Sequence, residues 1–261
     1  MPEPQVPPRA NVLGVGIHAL DVEHTLALID SALVHGRKGI VCATGVHGIT
    51  EARKDPAFRA LLNNAFLNIP DSRPTFWVGR LEGFRKIAHI GGPRLMLKVC
   101  EMSLLKGYTH FLYGGDVGVA QELRQILLEK FPGIQITGTY TPPFRPLNWN
   151  EEAELLRLVS QQKPDICWVG LSTPKQERFM AEYLNKLDTT VMIGVGAAFD
   201  FHTGRVKDAP QWMKTAGLAW VHRLCQEPRR LWKRYLKAIP RFLCEITLQF
   251  LKLKNYDLEV P

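Results

Sequence analysis

Apolar and polar positions follow two alternating patterns along residues 12–195. Short continuous apolar runs predict buried strands, and stretches in which apolar residues recur every three or four positions predict amphipathic helices. The predicted strands cover residues 12–17, 39–43, 109–113, 134–139, 165–169 and 191–195, with a shorter apolar segment at 67–69. The predicted helices cover residues 22–34, 47–63, 93–105, 117–131, 150–161 and 174–187.

The alternation of strands and helices predicts βαβ units with right-handed crossovers, and therefore an α/β fold with a mostly parallel sheet and helices on both faces. In such sheets ligands bind outside the carboxyl ends of the strands. The loops that follow the strands at this edge are residues 44–47, 70–73, 114–118, 170–176 and 194–200.

The composition excludes several classes of protein. Of the 261 residues, 46% are hydrophobic and 22% are charged, which disfavours collagen, coiled coil and wholesale disorder. No apolar run reaches the roughly 18 residues that a membrane helix needs. The first ten residues carry four prolines and an acid where a signal peptide would be basic and then apolar, so we expect a disordered lead and a cytoplasmic chain.

Cysteine and histidine spacing argues against a metal site. The five cysteines form no CxxC pair, which disfavours a disulfide framework or zinc site and fits a reducing compartment. The histidines show no HxH or HExxH spacing, and no Asp-x-Asp triplet occurs. We therefore expect no metal and no cofactor.

Positive charge is concentrated at the C-terminal end. Residues 203–254 hold twelve Lys and Arg against three acids, whereas the rest of the chain has 21 basic and 22 acidic residues. Basic residues there alternate with Trp, Tyr, Phe and Leu, a pattern typical of amphipathic helices on anionic membranes. A solvated basic face, a packed helix pair and a nucleic-acid surface are the alternatives.

Two glycine-containing segments resemble phosphate-binding loops. GVGIHA at 14–19 matches GxGxxA, but its glycines fall inside the predicted strand, and glycines that simply pack in a strand are the favoured interpretation. GGDVG at 114–118 follows a strand and opens a helix, so backbone N–H groups near Gly114 and Gly115 are candidates for a diphosphate. A plain tight turn is equally compatible with this segment.

Polar residues at other strand ends are further candidates. Asp71 follows an apolar segment and is placed as a general base, or equally as the cap of the next helix. Lys175 and Gln176 begin a predicted helix, where a cation and an amide hold phosphate or sugar hydroxyls, or are only a capped helix start. Asp200 is a partner for a uracil or ribose, or a turn cap.

Seven segments follow one another in a specific order. They are TGVHGITEARKDP at 44–56, IPD at 69–71, FLYGG at 111–115, VGLSTPKQE at 169–177, GVGAAFD at 194–200, GRVKDAPQWM at 204–213 and RLCQEPRR at 223–230. Together they resemble the WecG/TagA/CpsF glycosyltransferases, glycosyltransferase family 26, over about residues 12–243.

The resemblance implies a Rossmann-like core, residues 11–205, and an appendage, residues 206–261, that docks on the inner face of the cell membrane. It implies inverting transfer from a UDP-sugar, of the N-acetylmannosamine or glucose type, to a polyprenyl-diphosphate-linked sugar in surface polysaccharide synthesis. By position Asp71 matches the proposed general base, Gln176 a residue at the sugar, and Arg223 and Arg230 the arginines that meet the diphosphate.

The sequence also departs from the family pattern. A Thr-x-Asn in the first loop reads Ala43-Thr44-Gly45, which leaves Thr44, Gly45 and His47 as the substrate candidates of that loop. The stretch HIGGPRL at 89–95 places His89 where an arginine is usual and Arg94 where an aspartate is usual. These changes affect the acceptor, or activity itself.

Three hypotheses follow. The first is a metal-independent glycosyltransferase, peripheral on an anionic membrane. The second is a UDP-sugar or lipid-diphosphate-binding protein of the same fold without turnover, which the residues at 89 and 94 motivate. The third, a nucleic-acid-binding module, is less favoured because the body is neutral and no such motif occurs, so we expect no nucleic-acid partner. The sequence leaves the oligomeric state open, and a homo-oligomer is compatible with it.

Overall fold

The computed structural model describes residues 4–258. The strands are β1 (Arg9–Val12), β2 (Val15–His18), β3 (Gly39–Thr44), β4 (Leu67–Pro70), β5 (Thr109–Gly114), β6 (Gln135–Tyr140), β7 (Ile166–Gly170) and β8 (Val191–Gly194). The helices are α1 (Val22–Val34), α2 (Val46–Ala52), α3 (Pro56–Asn63), α4 (Arg73–Leu81), α5 (Gly92–Lys106), α6 (Val119–Lys130), α7 (Trp149–Gln162), α8 (Lys175–Tyr183), α9 (Ala198–His202), α10 (Gln211–Thr215), α11 (Ala219–Gln226) and α12 (Pro228–Phe250).

The predicted α/β architecture is confirmed. Among the described residues, six strands form a parallel sheet in the order β4-β3-β8-β7-β5-β6, flanked by helices, as in Rossmann-like folds. Central strands are buried on both faces, and their continuous apolar runs reflect this. In register, Leu112 of β5 lies beside Trp168 of β7, which lies beside Ile193 of β8, and all three side chains are fully buried.

The chain divides into two compact units. The first comprises residues 4–6, 22–42 and 92–205, and the second comprises residues 7–21, 43–91 and 206–258. This division does not coincide with the predicted core of residues 11–205 and appendage of residues 206–261. The C-terminal residues share one compact unit with two segments from the N-terminal half of the chain.

The N-terminal segment of the second unit is a hairpin, not the single predicted strand of residues 12–17. β1 and β2 pair antiparallel around a two-residue turn at Leu13 and Gly14, which both have positive φ, as tight hairpin turns require. Gly14 therefore serves the turn, not a dinucleotide. β1 begins at Arg9, so residues 9 and 10 do not belong to the disordered lead expected for residues 1–10. Residues 1–3 lie outside the described residues.

The predicted helix of residues 47–63 is two helices. Pro56 lacks an N–H and so begins a new helix instead of continuing the preceding one. Asp55 caps α3, since its Oδ1 accepts the N–H of Phe58 at 3.0 Å. The break makes α2 and α3 two separate helices.

The C-terminal helix α12 packs within the second unit. Its buried face carries Leu231, Phe242 and Ile246 and contacts α2. Gln249 accepts the N–H of Leu13 at 2.9 Å through its side-chain carbonyl. The residues predicted to form a separable appendage thus contribute core side chains, because one face of α12 is apolar at helical spacing.

Candidate functional site

The first unit brings three strand ends together, those of β5, β7 and β8. At the end of β5, Gly114 and Gly115 have φ of 127° and 73°, and the N–H of Gly115 donates to the carbonyl of Gly170 at 3.0 Å. A Cβ on Gly114 would lie 2.5 Å from that same carbonyl oxygen. The glycines therefore permit close approach of two strand ends, and the Gly115 amide predicted for a diphosphate is already bonded.

Gln176 is buried at the start of α8. Its Oε1 accepts the N–H of Gly196 at 2.7 Å, and its Nε2 donates to Glu177 at 3.3 Å. A Cβ on Gly194 would lie 2.5 Å from Nε2, so the amide fills the space beside the end of β8. Gln176 is 1% exposed and supports the turn after β8, while its expected contact with the sugar stays a prediction.

The other two predicted residues of the first unit lie at the surface. Lys175 is exposed at the first position of α8, where Pro174 precedes it. Asp200 is partly exposed within α9, and its charge acts on Arg205, whose pKa is raised chiefly by a hydrogen bond to Glu122. The structure leaves both side chains at positions that solvent reaches.

In the second unit, Asp71 directly follows β4 and is partly exposed. The helix that begins next, α4, is capped by Ser72, whose hydroxyl accepts the N–H of Thr75. Asp71 is therefore not the cap of that helix. Its backbone is fixed on both sides, because its N–H donates to Thr44 at 3.3 Å and its carbonyl accepts Nε2 of His89 at 2.8 Å.

The loop after β3 lies against Asp71. A Cβ on Gly45 would lie 3.3 Å from Cβ of Ser72 and 3.7 Å from Oδ2 of Asp71, so a glycine keeps this approach open. The hydroxyl of Thr44 is buried without a hydrogen-bond partner in the described part of the chain. The structure thus brings Thr44, Gly45, Asp71 and His89 close together.

The helix that follows Asp71 also contacts the C-terminal segment. Nε of Arg73 donates to the carbonyl of Lys214 at 3.1 Å. A Cβ on Gly217 would lie 2.5 Å from the ring of Trp77, so this glycine accommodates the indole. These contacts link the Asp71 loop to the segment that leads into α11 and α12.

Arg223 and Arg230 are joined through one carboxylate. Glu227 pairs with Arg223 at 2.9 Å and with Arg230 at 2.6 Å. Burial raises the pKa of Glu227, but the hydrogen bond from Arg230 and the charges of both arginines outweigh burial and lower it. The two arginines that the family resemblance singles out therefore lie beside each other with one net positive charge.

His47 lies in a basic pocket that the sequence did not predict. The pocket, about 270 Å³ in volume, lies between α2 and α12 and is lined by His47, Glu51, Lys54, Lys233, Arg234, Lys237 and Ala238. The i,i+4 spacing of residues 233 and 237 indicates a shared helix face. No sequence signal pairs that face with α2, because the two helices are far apart along the chain.

Neither a metal-binding cluster nor a membrane-spanning helix occurs within residues 4–258. No group of three or more His, Cys, Asp or Glu side chains there is arranged to hold a metal ion. Within the same residues, each helix is too short or too polar to cross a membrane.

A six-stranded parallel sheet flanked by helices, with a partly exposed carboxylate directly after β4, defines an α/β protein of the Rossmann-like type. The profile of the glycosyl transferase WecG/TagA/CpsF family matches residues 10–256. The chain belongs to this family and is a glycosyltransferase, as the sequence motifs predicted.

Several curated relatives share most of their length with this chain. An N-acetylglucosaminyldiphosphoundecaprenol N-acetyl-beta-D-mannosaminyltransferase of Bacillus spizizenii is 30% identical over 196 residues, 75% of this chain and 74% of the relative. The protein of the same name from Bacillus subtilis is 29% identical over 73% of this chain and 72% of its own. That of Staphylococcus aureus is 26% identical over 79% of both.

Proposed function

We propose that this glycosyltransferase moves a sugar from a UDP-sugar to a polyprenyl-diphosphate-linked acceptor, with inversion at the anomeric carbon and without a metal. The names of the relatives support an acceptor that carries N-acetylglucosamine and a donor of the N-acetylmannosamine type. A glucose-type donor is the second choice of sugar.

The observation that carries the proposal is the setting of Asp71. Its backbone is held by Thr44 and His89, the capping role falls to Ser72, and a glycine faces the carboxylate. A partly exposed carboxylate on a rigid backbone at a strand end suits a general base. His89, although it differs from the family pattern, fixes this loop, which favours an active enzyme over a binding protein without turnover.

In the proposed step, the Asp71 carboxylate accepts the proton of the acceptor hydroxyl. The hydroxyl oxygen forms a bond to C1 of the donor sugar from the face opposite UDP, and the bond between C1 and the UDP oxygen breaks. UDP departs with the electron pair of that bond. A single displacement of this kind inverts the configuration at C1.

Arginines are expected to offset the negative charge of the diphosphates. The N–H of Gly115 is bonded within the fold, so the groups expected to offset negative charge are Arg223 and Arg230. Guanidinium groups suit this role because they present several N–H donors to phosphate oxygens. Glu227 keeps the two guanidinium groups beside each other.

We also propose that α12 contacts the membrane surface. Trp232, Leu236, Leu243 and Phe250 are exposed and recur at intervals of four and seven residues, so they form one apolar stripe. The stripe spans about 27 Å along the helix, at roughly 1.5 Å per residue. An exposed aromatic and aliphatic stripe on a basic helix fits the interface of an anionic bilayer.

The test is a screen of UDP-sugars with a prenyl-diphosphate-linked N-acetylglucosamine acceptor, scored by UDP release and by the anomeric configuration of the product. We expect UDP release only when both substrates are present, and a product inverted relative to the donor. Retention of configuration, or release that does not depend on the acceptor, would contradict the proposed reaction.

A further inference from the structure

The pocket between α2 and α12 is a concentration of positive charge apart from the arginines discussed above. Lys54, Lys233, Arg234 and Lys237 line it with a single carboxylate, Glu51, which pairs with Lys54 at 2.7 Å. Arg223 and Arg230, which pair with Glu227, are not among its lining residues. The pocket therefore carries an excess of three positive charges that no described carboxylate offsets.

The cations contributed by α12 lack anionic partners within the fold. Lys233, Arg234 and Lys237 form no ion pair with any residue from 4 to 258. Nε of Arg234 is buried and has no hydrogen-bond acceptor there either. A buried N–H without an acceptor is costly, and an anion in the pocket supplies one.

From this we propose that the pocket is a binding site for a phosphate group, with Arg234 donating from Nε and Lys233 and Lys237 supplying charge. Its volume of about 270 Å³ is below the roughly 300–1,000 Å³ of ordinary ligand pockets, so it suits a phosphate or diphosphate end and not a whole UDP-sugar.

The helix geometry favours a phosphate from solution over a lipid head group. Successive residues of an α-helix are about 100° apart. On that basis the three cations are centred roughly 130° around α12 from the apolar stripe of Trp232, Leu236, Leu243 and Phe250. If that stripe rests on a bilayer, the pocket faces away from the lipid and toward water.

The experiment measures binding of inorganic pyrophosphate and of inorganic phosphate to the full chain by calorimetry, without sugar donor or acceptor. Arg234→Gln is expected to raise the pyrophosphate Kd about tenfold or more, since it removes a charged hydrogen bond. The matched control is Arg229→Gln, which removes the same charge from an exposed position of α12 outside the pocket. The control is expected to change Kd by less than about threefold.

Two further variants distinguish the pocket from the neighbouring arginine pair, and the Arg234 hydrogen bond from its charge. Arg230→Gln removes one of the two arginines assigned above to the substrate diphosphates, so any pyrophosphate binding that it weakens belongs to that pair, and the shift of the His47 ring signals should persist in it. The ring signals of His47, which lines the pocket, should shift on titration of wild type and not of Arg234→Gln. Thermal unfolding of each variant establishes that it is folded, and Arg234→Lys, with charge but no Nε donor, should lie between wild type and Arg234→Gln.

Equal losses in Arg234→Gln and Arg229→Gln would overturn the site, because binding would then follow net charge alone. Binding to phosphatidylglycerol vesicles without any binding of pyrophosphate or phosphate would also overturn it, in favour of a lipid head group. These binding measurements do not depend on turnover, so failure of the transferase screen would leave the phosphate site unaffected. Absence of phosphate binding would likewise leave the proposed sugar transfer unaffected.

Discussion

The two units differ in the burial and hydrogen bonding of the polar residues predicted at their strand ends. In the first, Gln176 is buried and holds the N–H of Gly196, and the Gly115 amide is bonded to Gly170. In the second, Asp71 is partly exposed, its backbone N–H and carbonyl are bonded to Thr44 and His89, and Ser72 caps the next helix. Similar positions at strand ends thus support packing in one unit and present a partly exposed carboxylate in the other.

This contrast shows how far position along a strand determines a role. A strand end is an edge where ligands bind, but it is also an edge where neighbouring loops need hydrogen bonds. Burial separates the two cases, because a fully buried amide must find its partners inside the protein, whereas a partly exposed carboxylate does not.

The largest expected effect is from truncation after Arg205, which removes α12 from the second unit. Leu231, Phe242 and Ile246 lose their places in its core, and such losses cost about 2–5 kcal/mol each. Their sum is comparable to a whole domain stability of about 5–15 kcal/mol. Hydrogen exchange should therefore show loss of protection in residues 43–91.

A pair of point variants separates packing from chain loss. Phe242→Ala, at a buried position, should destabilise the chain by about 3–5 kcal/mol, and Leu236→Ala, on the exposed stripe, by no more than about 0.5 kcal/mol. Full protection of residues 43–91 in the truncated chain would instead restore the separable appendage that the sequence suggested.

The next effect concerns Asp71. Asp71→Asn keeps the shape of the side chain but removes the base, so turnover should fall by roughly 10²–10⁴ while UDP binding is unchanged. Steady-state rates and UDP calorimetry are the measurements. Ser72→Ala is the control, since it removes the cap of α4 at a cost of about 1 kcal/mol in stability and leaves the carboxylate in place. Unchanged turnover in Asp71→Asn would remove this residue from the mechanism.

A smaller effect is expected at Gln176, and on stability. Gln176→Ala leaves the N–H of Gly196 without its partner and should lower the free energy of unfolding by about 1–3 kcal/mol, measured by denaturant titration. Gln121→Ala, on the exposed face of α6, should change it by no more than about 0.5 kcal/mol. Normal stability together with lost turnover would support the predicted contact of Gln176 with the substrate.

The smallest expected effect is from chelation. If arginines and not a metal offset diphosphate charge, turnover in the presence of EDTA should equal turnover without it, and added Mg²⁺ should restore nothing. Loss of activity on chelation with recovery on adding Mg²⁺ or Mn²⁺ would show that a metal takes part. It would also move the electrostatic role away from Arg223 and Arg230.

Much of the architecture follows from local patterns in the chain. The bounds of α1, predicted at residues 22–34, are confirmed, as are the alternation of strands and helices and the family assigned from the motifs. Local chemistry also accounts for the differences from prediction. The turn at Leu13 and Gly14 and the helix start at Pro56 each depend on one or two residues that interrupt a longer apolar pattern.

The sequence by itself determined the sheet, the family and the candidacy of Asp71, because apolar periodicity and motif spacing are properties of neighbouring residues. Only the tertiary structure decided that Gln176 is buried, that Ser72 caps α4, and that α12 belongs to the core of a unit. The pocket between α2 and α12 is also a feature that only the tertiary structure decided. Lys54 lies 179 residues before Lys233 along the chain, and burial and electrostatic pairing depend on contacts that no local pattern encodes.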